Sequence, residues 1–550
     1  MGWFDKVRYI FSENNSVADS GKESVHSIEV KQGVILIMYS AGYKKLITLP
    51  KSFDLDKHLE LYPPVKCGFP ADKRFNKQKA HCWLGLITSI HARINDNIIE
   101  TGYTRINMSI IRNGYVKNGN QRKGQGSIKD IKLYVDYLIA TGVILCDKQY
   151  IPGQKSRGYR WSDKYFKDKF EVREVDCNYA DDVEEYESKS LDLKEYPYLF
   201  HWFQQGKLII DADAAREYAF TVKEKKFNTK KWDINRDATA WNGKKSFKNP
   251  QNQYLAAVEN IGKLQFQKYE AHIDDNIHRL HSVLTNLQKD LRNFITYNGQ
   301  QLVGIDLKNC QPYLVCLILN PEFWEKDSKL PVNLYNLPAN IVENLCNPPE
   351  LVMEVKEFLS ATPREKFEPY IELAASGLVY EGFADIANAE IKDADKKLER
   401  DDAKTMMFHL LFSKNGSKHQ DKVINAMKKK FNEELYPEVA QLFQIIKQEY
   451  KGLKDKDGKK VDKQHNRLSC LLQAIESQII LHRCCKRVWI ETGGDMPIFT
   501  IHDSIVTTLG NKGYVMGVMD AILTECIGIA PKLDDKDVWD RAKLTDKIAN

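Results

Sequence analysis

Hydrophobic and polar positions change rhythm along this chain, and each change marks an element. In GQQLVGIDLKNCQPYLVCLIL, Val303, Ile305 and Leu307 alternate with Leu302, Gly304 and Asp306, the period of a strand, and an apolar helix follows. In MPIFTIHDSIVTT, two strand-like runs, IFTI and IVTT, are joined by His502, Asp503 and Ser504 in a tight hairpin. Between these segments, LERDDAKTMMFHLLFSKNG places Arg400, Lys404, Phe408 and Phe412 at every fourth position, so they share one helix face.

Upstream the texture divides into segments. Residues 1–75 read as short strands, SIEV and GVILIMYS, set off by Gly and Pro. Residues 76–165 hold an apolar-periodic stretch (HCWLGLITSIHARI), a basic Gly-rich loop (NGNQRKGQGS), a second helix (IKDIKLYVDYLIATGVI) and a hairpin-like segment (LCDKQYIPGQKSRGYRW). Helix, turn, helix and basic hairpin is the plan of a winged helix. There one helix enters a groove and the wing, carrying Lys148, Lys155, Arg157 and Arg160 with Tyr150 and Tyr159 interleaved, lies along phosphates. An ordinary helical subdomain with a solvated basic face is the alternative. Residues 166–250 pass from an acidic stretch to a basic one and read as connecting structure; 251–550 alternate long helices with a few short strands.

Composition narrows the class without naming it. The chain has 550 residues, enough for several cores, and 28% are charged. No apolar run approaches the ~20 residues of a membrane span, so membrane, collagen-like and disordered chains are excluded. The net charge of +6 permits a nucleic-acid partner without demanding one. Eleven cysteines without a CxxC pair give neither a zinc nor a disulfide framework, and MGWFDKVRYI lacks a secretory apolar region; a reduced, cytoplasmic protein is the simplest expectation.

The chemistry lies beyond residue 250. Asp306 at a strand-to-helix junction is a helix cap or a ligand, and Asp503 at a hairpin tip is a turn former or a ligand. Brought together by a sheet, two aspartates supply oxygen donors for a pair of Mg²⁺ ions, the arrangement that drives phosphoryl and nucleotidyl transfer. Two cations followed by two aromatics on one helix face suit a triphosphate and a base, although an amphipathic surface helix with snorkelling cations has the same pattern.

In order and combination these segments resemble family A DNA polymerases over about 270–510. HRLHSVLTNLQ matches the primer-contacting stretch before motif A, with Arg279, Asn286 and Gln288 in register, and Asp306 falls on the motif A aspartate. Arg400, Lys404, Phe408 and Phe412 look like the motif B face, Asp503 like the motif C aspartate, and Gln473 in LLQAIESQIILHRCC like a template-primer contact. The resemblance implies an α+β chain with a right-hand polymerase core: an antiparallel palm sheet with helical fingers and thumb, preceded by the winged-helix-like module. It implies a catalytic role for Asp306, Asp503 and Lys404, with two Mg²⁺ ions (Mn²⁺ substituting) on the aspartates. Nucleotide binding would fall to Arg400, Lys404, Phe408, Phe412 and Gln311, and primer-template contact to Arg279, Asn286, Gln288, Gln473 and His502, with Lys155, Arg157 and Arg160 on the wing.

The expected activity is template-directed extension of a DNA primer with dNTPs, in replication of a phage or mobile element. No proofreading exonuclease carboxylates are recognisable before residue 250. Expected partners are primer-template DNA and dNTPs, with RNA left open, no membrane, and a replication partner for the N-terminal module. Ser504 stands where these polymerases carry Glu, as in the related phage-type single-subunit RNA polymerases, so an RNA polymerase or primase-like enzyme is the alternative; a DNA-binding initiator with an inactive palm is another. The stretch from Asp306 to Lys404 is longer than the family usually shows, which implies an insertion around 320–390. Gln311 occupies the place of the Glu that blocks a ribose 2′-hydroxyl. Gln311→Gly is therefore expected to raise ribonucleotide use; unchanged sugar selection in a dNTP and rNTP competition assay would remove that assignment.

Overall fold

The computed structural model describes residues 44–69, 128–151, 156–176, 195–234, 247–269, 271–389 and 397–544, with shorter pieces at 28–31, 34–37, 80 and 103–105. It is a mixed architecture in which helices surround a six-stranded antiparallel sheet. The long strand Gln300–Leu307 is the middle of that sheet. It is entered through an Asn298-Gly299 turn whose residues sit at φ 48° and 75°, the geometry that reverses a chain in two residues. Its Leu302, Val303, Gly304 and Ile305 are all buried, as a strand with partners at both edges and cover on both faces requires.

Ser504–Thr508 pairs with one edge of this strand and Leu533–Val538 with the other. Ile498–Ile501 lies outside Ser504–Thr508, while Ile295–Tyr297 and then Leu208–Ile210 extend the sheet past the Asn-Gly turn. Leu208–Ile210 comes from the stretch whose texture reads as connecting structure; three residues are too few for an alternating pattern to show. Helix Lys512–Ile527 packs across Gln300–Leu307 and both of its neighbours, burying Val515, Met519, Ile522 and Leu523. Helix Cys310–Ile318 leaves the end of the central strand and packs against Arg467–Ile479 and Glu368–Ser376.

The 320–390 stretch folds as helices Ala339–Leu345, Pro349–Ala361, Glu368–Ser376 and Val379–Asn388, around buried Phe323, Trp324, Tyr370 and Phe383. Arg467 ties this unit to the rest. The side chain is 1% exposed and donates to the carbonyls of Asn344 (3.1 Å), Asn347 (2.9 Å) and Gln448 (2.9 Å).

In the N-terminal half, Lys44–Pro50 pairs with Phe170–Asp176, and helix Pro250–Gln265 crosses that ribbon closely. A Cβ on Gly262 would meet Val172 Cγ2 at 2.3 Å, so only glycine allows this approach. Helix Ile128–Ala140 is followed by strands Ile144–Cys146 and Gly158–Trp161, and Thr104–Arg105 pairs with the latter in a three-stranded antiparallel sheet. The first helix and basic loop expected for a winged helix, and Lys155, lie outside the described residues.

Arg467→Met would keep the bulk but orphan three buried carbonyls. We expect a loss of about 3 kcal/mol or more in urea unfolding, only partly recovered by Arg467→Lys, whose single ammonium cannot span all three acceptors.

Candidate active site

Strand register assembles the site. Asp306, near the end of the central strand, lies opposite Ser504, and Ser504 Oγ donates to Asp306 Oδ1 at 2.6 Å across a separation of 198 residues. His502 and Asp503 form the turn of the hairpin, with His502 at φ 56°. The turn is therefore two residues, one fewer than the sequence suggests, because Ser504 already belongs to the second strand. Asp503 is held next to Asp306 by this pairing. On the other edge, Asp534 lies opposite Asp306, with Lys308 Nζ 3.7 Å from Asp534, while Lys289 Nζ is 3.5 Å from Asp537.

Asp306 and Asp503 both hold their protons more tightly than ordinary aspartates. Burial pushes Asp306 up, with Asp534 and Asp537 adding to it, against the Ser504 hydrogen bond and Lys289. Burial, then Asp306 and Glu476, push Asp503 up to about 7. Among the described residues no group of three or more His, Cys, Asp or Glu forms a ready metal centre. The pair Asp306 and Asp503 nevertheless has the chemistry of a hard-cation site: oxygen donors, half-buried, mutually repelling and short of neutralising charge.

A second cluster adjoins the first. Glu476, on helix Arg467–Ile479, is 2% exposed, and one of its oxygens accepts from Arg279 Nη2 at 2.6 Å, Gln311 Nε2 at 2.5 Å and Cys310 Sγ at 3.6 Å. Two expected ligand-contacting residues, Arg279 and Gln311, are thus joined through a residue that the motifs did not single out. Arg279 is presented by a loop whose Asp274 accepts backbone N–H bonds from Asn276, Ile277 and Arg279 itself. A small cavity beside it is lined by Arg279, Leu280, Ser477, Leu481, Thr500 and His502.

The four spaced residues do form one helix, Arg400–Phe412. Arg400 pairs with Glu381 at 2.7 Å, Lys404 Nζ lies 5.9 Å from the Phe408 ring, and Phe408 and Phe412 stack at 5.4 Å and 29°. Buried Lys447 caps the helix end by donating to the carbonyls of Leu410 (2.6 Å) and Ser413 (3.2 Å), and burial lowers its pKa to about 8. Tyr380 lies under the Arg400 guanidinium, 5.2 Å from ring centre to guanidinium carbon; burial, then Cys310, raise its hydroxyl, with Arg400 opposing and Asp503 adding.

Other expected residues stand apart or are otherwise engaged. Asn286 and Gln288 are exposed against helix Pro250–Gln265, through Asn260 to the Asn286 carbonyl and Gln288 to the Gln253 carbonyl. Gln473 is half-buried one turn before Glu476. Arg157 is exposed, but Arg160 turns inward: it pairs with Asp163 at 2.7 Å and lies over the Tyr103 and Phe166 rings, because the Gly158–Trp161 strand presents it to its own neighbours. Glu476, Tyr380, Glu381 and Asp534 went unread. Only Glu476 left a trace, as the lone acid in the apolar run LLQAIESQII.

No family model matches this chain, and no curated protein matches it. Among solved structures, the POL domain of Pol1 from M. smegmatis, in complex with DNA primer-template and dNTP, is similar over 89% of this chain and 86% of that chain, at 10% identity and a TM-score of 0.29.

Asp503 sits near 7 in the fold against an ordinary 3.8, so its charge costs stability that grows from about pH 4 to pH 7 and persists above. Asp503→Asn is expected to raise the melting temperature of the chelator-treated protein by roughly 3 °C at pH 8 and to leave it nearly unchanged at pH 4, as read by scanning calorimetry.

Proposed function

We propose that this chain is a template-directed nucleotidyltransferase, a DNA polymerase that extends a primer 3′-hydroxyl with dNTPs. The observation that carries the reading is the Asp306–Ser504 pairing, which sets Asp503 beside Asp306 at the end of an antiparallel sheet. The motif resemblance to family A polymerases supports it, with the sheet as palm and the helices around Arg400–Phe412 as fingers.

When bound, the two Mg²⁺ ions that Asp306 and Asp503 would hold, or Mn²⁺ in their place, supply Lewis-acid stabilisation of the attacking hydroxyl and the leaving pyrophosphate. Arg400 and Lys404 neutralise the triphosphate, and Lys404 donates a proton to the leaving group. Phe408, 42% exposed, and Phe412 offer stacked ring faces to sugar and base. Gln311, fixed by Glu476, limits the 2′ position, and Arg279, Gln473 and His502 hold the primer end. The N-terminal hairpin, with Arg157 exposed, is the candidate for locating a template or replication partner. Replication of a phage or mobile element without proofreading is the setting this equipment fits.

Ser504 in place of a third acid favours the ribonucleotide branch as the second reading. Extension of a labelled primer on a DNA template, with Mg²⁺ and either dNTPs or rNTPs, decides between them. We expect dNTP extension that Asp306→Ala and Asp503→Ala each reduce by about 10³-fold or more. Extension with rNTPs alone moves the protein to the RNA polymerase branch, and none with either overturns the enzymatic reading.

A further inference from the structure

Helix Val379–Asn388 lies in the stretch between Asp306 and Arg400 to which the motifs assign no role, and it packs along helix Arg400–Phe412. Two of its side chains converge on Arg400. Glu381 Oε1 accepts from Arg400 Nε at 2.7 Å, and the guanidinium carbon lies 5.2 Å from the centre of the Tyr380 ring. A carboxylate on Nε stops rotation of the guanidinium, and a ring against its face fixes its plane. Apart from Asp401, 4.0 Å from Nη1, no carboxylate is paired with the Nη end among the described residues, and the side chain as a whole is 49% exposed. That end keeps the fork geometry that suits phosphate oxygens.

Glu381 is half-buried, and among the described residues its Oε2 has no hydrogen-bond partner, so Arg400 is the cation paired with this carboxylate. Tyr380 is 7% exposed; burial, then Cys310, raise its hydroxyl, Arg400 opposes this and Asp503 adds to it.

We infer that Glu381 is a positioning residue for nucleotide binding: with Tyr380 beneath, it orients Arg400 so that its Nη atoms meet the triphosphate of an incoming nucleotide. This rests on the polymerase reading above and assigns a task to the inserted helices. Glu381 acts through Arg400 and touches no substrate.

The test uses the full chain and four variants: Glu381→Ala, Glu381→Gln, Arg400→Ala and the double Glu381→Ala/Arg400→Ala. KM and kcat for dNTP are measured in primer extension, and dNTP affinity is measured on a complex with a dideoxy-terminated primer, where no chemistry occurs. Glu381→Ala is expected to raise KM about 10-fold with kcat within about 2-fold, Glu381→Gln about 3-fold because it keeps an acceptor, and the double variant is expected to be no worse than Arg400→Ala alone. A fall in KM on Glu381→Ala would mean that Glu381 competes with the triphosphate, and multiplied effects in the double variant would mean a general structural role; either overturns the inference. If Arg400→Ala raises KM while neither Glu381 variant does, the positioning role alone fails. If Arg400→Ala leaves dNTP affinity unchanged, the triphosphate reading of that helix fails with it.

Discussion

Everything chemical in this chain depends on the antiparallel pairing of Gln300–Leu307 with Ser504–Thr508. The side-chain period of a strand is two, so a slip of one residue would turn Asp306 to the opposite face and away from the Asp503 turn. Two features lock the register. The Ser504 hydroxyl donates to Asp306 itself, and the strand is paired along both edges with its middle buried on both faces. One of the interactions that fix the register is thus also the one that ties Asp306 to the Asp503 turn.

The site works against the fold around it. Burial pushes Asp306 and Asp503 up, Asp534 and Asp537 add to the first and Asp306 to the second, and Lys289 and Arg279 offset this only in part. The scaffold holds the site through apolar burial: helix Lys512–Ile527 across the strands, and Cys310–Ile318 against Arg467–Ile479. Glu476 shows how tightly the surroundings are shared. One buried oxygen takes Arg279, Gln311 and Cys310, so the orientation of two residues assigned to substrate contact depends on a third that need not touch substrate.

The helix carrying Arg400, Lys404, Phe408 and Phe412 is supported at both ends. Lys447 caps its C-terminus from inside the protein, and Glu381 and Tyr380 brace Arg400 near its N-terminus. Arg467 fastens the segment around Asn344 and Asn347, which precedes these bracing residues in the chain, to the helix that bears Glu476. The buried polar contacts of Arg467 and Glu476 thus join the 339–388 helices, helix Arg467–Ile479 and the start of helix Cys310–Ile318, beside the apolar core.

Local pattern alone determined the strand bearing Asp306, the hairpin bearing Asp503 and the helix face from Arg400 to Phe412, because periods of 2 and 3.6 are set by backbone geometry and are written in consecutive residues. Motif order then pointed to nucleotidyl transfer. The sequence could not reveal the partners of these residues. Asp534 lies on LDDKDV, a strand with no apolar alternation to announce it, and Leu208–Ile210 is too short to do so. The contacts of Gln311 and Arg279 with Glu476 span 165 and 197 residues, and Arg160 turns inward only because its own ribbon supplies Asp163 and two aromatic faces. Such pairings are decided when distant segments pack, because a side chain's partner depends on which face of which neighbour arrives beside it, and no local periodicity encodes that.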